Sequence, residues 1–294
     1  MVNASGRQTV ILMRVRGTRR SAQRPAPAGP HNTVGCVEVL GGNDSRTQAL
    51  VLAGLELLLV ARPAGAQAGG DLYCVHSCGD RALAKIVLVD ISGHGERSAF
   101  IARALHHLLH RYSQDTQPTR VLDLVNRQFP HFAPSSVLAT SLCTVYDSRR
   151  SELRYAYGGQ PRILFWQAGQ RQWTNLAPPQ DSPCGLPFGV TLTGCYEEKS
   201  ISLRPADMLL MFSDGVPETR SLSGTLLQPE GVLHLAQECT EQMPSAFFPL
   251  AALADAFLRR LQDFHGGSDF EDDLTLLWLR RLPGDRPAPT AEPF

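Results

Sequence analysis

Two apolar runs in this chain end on an acid. Lys85-Ile-Val-Leu-Val-Asp90 runs straight into Ile91-Ser92-Gly93-His94-Gly95, and Met208-Leu-Leu-Met-Phe212 runs into Ser213-Asp214-Gly215. Two more acids open apolar runs, in Gly69-Gly70-Asp71-Leu72-Tyr73 and in Glu271-Asp272-Asp273-Leu274-Thr275. A carboxylate at the end of a buried strand is cut off from bulk water, so it must be paired, hydrogen-bonded or metal-bound. Taken singly, each site has a plainer explanation: Asp-Gly marks a turn, and an acid or serine after a strand caps the next helix. Taken together they constrain the fold. If the strand ends converge, their carboxylates repel one another unless divalent cations neutralise them. Hard oxygen donors select Mg2+ or Mn2+, and two such ions roughly 3.5–4 Å apart hold and acidify a bridging water and clamp a phosphoryl oxygen.

Composition narrows the alternatives. The formal net charge of +0 argues against a nucleic-acid footprint spread over the whole molecule. Only two of the 28 basic residues are lysines, Lys85 and Lys199, and neither follows a glycine, which excludes a Gly-Lys-Ser/Thr phosphate loop. Gly-x-Ser-x-Gly and His-Glu-x-x-His are both missing, so serine-hydrolase and zincin chemistry lose their usual support. The seven cysteines are scattered, odd in number and without a Cys-x-x-Cys pair; buried thiols are expected rather than a disulfide framework. The apolar stretch Ala49–Ala61 is broken by Glu56 and too short to span a bilayer, and no leader pattern stands at the N-terminus, so a cytoplasmic protein is expected, with no membrane and no nucleic-acid partner. His106 and His110 lie one helical turn apart, but no third ligand accompanies them.

Residues 1–50 read as a basic, poorly ordered arm, with six Arg and no acid in the first thirty positions and then a Pro-Ala run. Residues 51–282 form the main domain, and 283–294, with four prolines, form a disordered tail. Within the domain, Leu55–Val60, Leu72–Val75, Lys85–Asp90, Ser141–Tyr146, Leu153–Tyr157, Met208–Phe212 and Leu274–Leu279 read as strands. Ser98–Tyr112, Val121–Phe129, Val232–Gln237 and Ala251–Phe264 read as helices. Asp147-Ser-Arg-Arg-Ser151 closes a hairpin, and Arg162–Trp166 is expected to continue it as a third strand. Consecutive hairpin-linked strands with helices on either side indicate α+β architecture with antiparallel sheets.

In the order in which they stand, these segments resemble the PPM-type, metal-dependent serine/threonine protein phosphatases, specifically the SpoIIE/RsbU branch. The resemblance rests on Gly69–Cys74, Asp90–Gly95, Ser213–Glu218 and Asp272–Thr275, with weaker matches at Tyr157-Gly-Gly-Gln-Pro161 and Gly185-Leu-Pro-Phe-Gly-Val190. It implies an αββα sandwich of two packed antiparallel sheets flanked by helices, with two Mn2+ or Mg2+ ions at one end. It further implies Asp71, Asp90, the carbonyl of Ile91, Asp214 and Asp272 as metal ligands, Asp71 and Asp90 positioning the bridging water that attacks, and His94 as a candidate acid or orienting residue. Asp273 is expected to lie behind the ligands. The implied substrate is a phosphorylated STAS-type anti-anti-sigma regulator in partner switching, with regulation by a separate partner or by a homodimer. In this branch the helices Ser98–Tyr112 and Val121–Phe129 can reposition a metal ligand.

Two departures stand out: Cys74 replaces the second aspartate of the first segment, placing a soft thiol in that motif, and Gln160 replaces the usual His. They keep open a catalytically weak binding or regulatory module, and a hydrolase of small phosphoesters is a second rival.

Overall fold

The computed structural model describes residues 37–41, 45–64, 70–78, 82–93, 96–176, 184–243 and 248–283. Strands β1 (Val37–Gly41), β4 (Asp71–Cys78), β5 (Leu83–Ile91), β6 (Ala139–Asp147), β7 (Glu152–Gly158) and β10 (Lys199–Ser202) form one sheet in the order β1-β4-β5-β6-β7-β10. Strands β2 (Arg46–Leu52), β3 (Leu55–Arg62), β8 (Ile163–Gln167), β9 (Gln172–Leu176), β11 (Met208–Phe212) and β12 (Leu274–Arg281) form the second, in the order β2-β3-β12-β11-β8-β9. Every pairing is antiparallel.

The four layers follow from the period of two along each strand. Tyr73, Val75, Ile86, Leu88 and Leu142 of the first sheet meet Leu57, Leu59, Met211, Leu277 and Leu279 of the second in the central core. The intervening residues Leu72, Cys74, Val87 and Val89 face outward, against α1 (Glu96–Arg111) and α2 (Pro118–Gln128). Leu210, Phe212, Leu276 and Trp278 face the other way, against α3 (Gln228–Glu241) and α4 (Leu250–His265). Both faces of each sheet are covered, which is why the central strands read as nearly continuous apolar runs. This is the expected α+β, αββα sandwich. No helix among the described residues is long and apolar enough to cross a membrane.

Four expectations need correction. Positions 37–41 and 46–50, assigned above to the arm, lie in strands of the two sheets, the second strand running on to Leu52. In β2 exposed and half-buried residues alternate, and that polar edge character hid the strand. Ile163–Gln167 does not extend the 147–151 hairpin: β8 crosses to the second sheet and pairs with β11 and β9. Cys184 and Cys195 are not buried thiols but form a disulfide, with Cα atoms 4.5 Å apart; Cys143 and Cys239 are buried, as expected. Cys74 is buried on the helix side of β4, on the face opposite Asp71, so the thiol does not line the acid cluster. Residues 1–36 and 284–294, and with them most of the arm and of the tail, lie outside the described residues.

The disulfide closes a loop held at both ends. The Gly185 N–H donates to the Cys195 carbonyl (2.7 Å), Phe188 exchanges hydrogen bonds with Ala139, and the buried Asn126 of α2 accepts from the Gly189 N–H and donates to the Thr191 carbonyl. With a sequence separation of 11, the cross-link removes about 3 kcal/mol of unfolded-chain entropy. Urea unfolding of Cys184→Ser should therefore show a loss of this size without reductant, and wild-type protein in dithiothreitol should match the variant.

Candidate metal centre

The register of β4 and β5 sets Asp71 directly opposite Asp90, and that of β5 and β6 sets Asp90 opposite Thr140. These three residues belong to the row that faces the opposing sheet. Asp214 follows β11, and Asp272 precedes β12 in the second sheet. Two close approaches draw the ends together. A Cβ on Gly70 would lie 2.3 Å from the Ile91 carbonyl oxygen and 3.0 Å from Asp90 Oδ1, and one on Gly215 would lie 2.2 Å from the Asp273 carbonyl oxygen. Only glycine permits either approach.

The carboxyls interact across the gap between the sheets. That of Asp90 is hydrogen-bonded to Asp214, and burial, then the charges of Asp214, Asp71 and Asp272, push it up to about 9. Asp71 is only 1 % exposed; burial raises its carboxyl well above the usual range, opposed by hydrogen bonds from Thr275 and Ser213. Its Oδ2 is buried with no hydrogen-bond partner. Asp272 sits at the exposed rim, its carboxyl raised by partial burial and by Asp214 and Asp273 against a hydrogen bond from the Asp273 N–H. Among the described residues none of the four acids is in an ion pair with Lys, Arg or His.

An orphaned buried carboxylate oxygen among carboxyls whose proton affinity is raised by burial and by one another is chemically suited to a cation. Oxygen-only donors suit Mg2+ or Mn2+. Among the described residues no three or more His, Cys, Asp or Glu side chains are already closed around a single point. The acids thus share one end of the sandwich as a cluster, not as a preformed cage.

His94 lies outside the described residues. His106 and His110 sit far along α1 from its start at Glu96 and join no metal-type cluster among the described residues. Gln160 is buried and its Nε2 donates to Thr140 Oγ1 (2.9 Å), beside the acid row. Sequence reasoning missed the cleft that opens next to Asp272. About 170 Å³ in volume, it is lined by Gly215, Glu218, Thr219, Arg220, His265 and Phe270, with Glu271 and Asp272 at its edge. Arg220 stands six residues after Asp214 in the same turn region and was the available signal.

The chain matches the family described as stage II sporulation protein E (SpoIIE) over residues 80–282. It is similar to the phosphoserine phosphatase RsbU of Bacillus subtilis (strain 168), 27 % identical over 221 residues, covering 73 % of this chain and 60 % of RsbU. It is also similar to the phosphoserine phosphatase RsbP of the same organism, 28 % identical over 160 residues, covering 52 % of this chain and 38 % of RsbP. The chain therefore spans less than two thirds of either relative. Among solved structures, the RsbU and RsbW domains of a Mycobacterium tuberculosis protein match with a TM-score of 0.67 at 23 % identity, covering 80 % of this chain and 62 % of that one. At that identity the likeness is one of fold.

The raised Asp90 carboxyl has a consequence for stability. Between the ordinary value of 3.8 and about 9, the folded chain holds a proton that the unfolded chain has released. Stability of the metal-free protein must then fall as pH rises through that window. Thermal unfolding in chelator should show this decline, and Asp90→Asn, which never ionises, should make it shallower.

Proposed function

The chain belongs to the SpoIIE family, and from that footing we propose that it is a metal-dependent phosphoprotein phosphatase hydrolysing phosphoserine or phosphothreonine. The observation that carries this reading is the convergence of Asp71, Asp90 and Asp214 at one end of the sandwich, with an orphaned Asp71 oxygen and no neutralising base among the described residues. In this reading Asp71 and Asp90 from one sheet, Asp214 and Asp272 from the other, and the Ile91 carbonyl hold two divalent cations. Bound there, Mn2+ or Mg2+ would supply an acidified water and charge neutralisation for the phosphoryl oxygens.

The remaining tasks fall to the protein. The row Asp71, Asp90, Thr140 fixes carboxylates on adjacent strands, so their spacing is set by backbone hydrogen bonds rather than by loops. Gly70 and Gly215 bring the Ile91 carbonyl and the Asp272 segment to that row. The cleft beside Asp272 receives the chain that carries the phosphorylated residue, with Arg220 as its cation. Arg220 is tethered by an exposed ion pair to Glu271 (3.7 Å), weak enough to yield to a phosphate. The substrate in this reading is a phosphorylated STAS-type regulator in partner-switching signalling in the cytoplasm, and control comes from a separate partner or a second copy of the chain.

The catalytically weak module remains the rival, but Cys74 no longer favours it, because its side chain faces the helices. Gln160 alone distinguishes this site from the family pattern, and it keeps a hydrogen bond to Thr140. Manganese-dependent hydrolysis of p-nitrophenyl phosphate and of a phosphoserine peptide tests the assignment. Asp90→Asn and Asp214→Asn should each lose at least about a hundredfold in activity, since even groups behind metal ligands are worth 10- to 100-fold. Wild type as inert as both variants, with partner binding intact, would establish the module instead. Preference for nucleotide or sugar phosphates over the peptide would establish a small-phosphoester hydrolase.

A further inference from the structure

Adjacent acids at the start of β12 point opposite ways. Asp272 is exposed at the cleft, while Asp273 is 5 % exposed and turned into the sandwich. The Asp273 carboxylate accepts two backbone hydrogen bonds, from the Ala64 N–H at Oδ1 (2.7 Å) and from the Asp71 N–H at Oδ2 (3.3 Å). Ala64 lies just after β3 in the second sheet, and Asp71 begins β4 in the first. One buried carboxylate therefore clasps both sides of the crossing between sheets, 209 and 202 residues away in sequence.

A return contact runs the other way. The Asp71 carboxyl, on the first sheet, lies beside the hydroxyls of Thr275 and Ser213 from the second, which temper the effect of its burial. Ser213 is itself fixed by its neighbours: its Oγ donates to the Asp273 carbonyl (3.2 Å) and accepts from the Thr275 N–H (3.0 Å), and its own N–H donates to the Thr275 carbonyl (3.1 Å). Asp71 is thus held by its backbone through the Asp273 side chain, and its carboxyl stands beside Ser213, whose hydroxyl the Asp273 carbonyl fixes. What remains of Asp71 is Oδ2, buried and without a partner.

We propose that Asp273 is a positioning residue: with Ser213 and Thr275 it forms a reciprocal latch between the sheets that presents the free Asp71 oxygen to the cation. The role rests on the metal-dependent reading above. It requires an ionised or at least two-faced acceptor. Both oxygens of a carboxylate accept, whereas an amide of the same shape sets an N–H2 group against one of the two backbone donors. Loss of one such acceptor leaves a buried N–H unsatisfied next to Asp71.

Manganese binding by the full chain, followed by calorimetry, tests the latch. Asp273→Asn should weaken manganese binding ten- to a hundredfold with the number of bound ions unchanged. In the metal-free protein it should also speed amide hydrogen exchange at Asp71 and Ala64, a readout independent of activity. Ser213→Ala, which removes a single hydroxyl, should weaken binding in the same direction, and it stands in should Asp273→Asn not fold. Val232→Ala, in the distant α3 core, lowers stability without touching the latch and should leave manganese affinity alone. The role is overturned if Asp273→Asn binds manganese like wild type, if it loses one equivalent of metal and so proves a ligand, or if Val232→Ala weakens binding equally. Wild-type protein that takes up no manganese overturns the metal reading and this role with it; normal wild-type uptake with an unaffected variant overturns the role alone.

Discussion

Asp90 faces Asp71 across two paired strands, and its carboxyl is hydrogen-bonded to that of Asp214 from the opposing sheet. A sandwich that ends in carboxyls, with no basic side chain paired to them among the described residues, carries a destabilising element by design. Desolvation is the largest influence on both Asp71 and Asp90, and the neighbouring acids add to it. The sheets below offset that cost: the central core runs the length of both, from Leu55 and Leu57 to Tyr146 and Leu153. Strain of this kind is tolerated where the surrounding structure over-determines it and where a ligand relieves it.

Much of this was legible in the sequence because the central strands are buried on both faces. Ile86–Val89 and Met208–Phe212 are apolar at every step, and the observed strand ends fall within two residues of the acids. The ordered acids gave the end of the sandwich at which chemistry would lie. Edge strands were invisible for the converse reason. β2 alternates half-buried and exposed positions with polar residues over its first half, β10 has only four residues, and β9 pairs at an edge with two half-buried polar residues, Thr174 and Asn175. β8 was recognised as a strand but placed in the wrong sheet, since chain proximity favours a hairpin and only the opposing sheet's open edge on β11 decides otherwise.

Side-chain direction was the other gap. Cys74 lies three residues from Asp71 in a motif that suggests shared chemistry, yet three steps along a strand reverse the face. Asp273 and Asp272 differ in the same way, one turned to the core and one to solvent. The disulfide was illegible because spacing alone does not give connectivity; Cys184 and Cys195 meet only because the segment between them folds against Ala139 and Asn126.

Lys85 occupies a place that composition alone would not suggest for one of two lysines. It is 5 % exposed in the middle of the first sheet, and its ammonium donates to the carbonyls of Tyr112 (2.6 Å), Ser113 (2.7 Å) and Asp115 (3.1 Å), just past the end of α1. The cation complements the negative end of that helix and binds the carbonyls of the turn that follows it. Lys85 thereby ties the C-terminal end of α1 to β5, the strand that carries Asp90 at its other end.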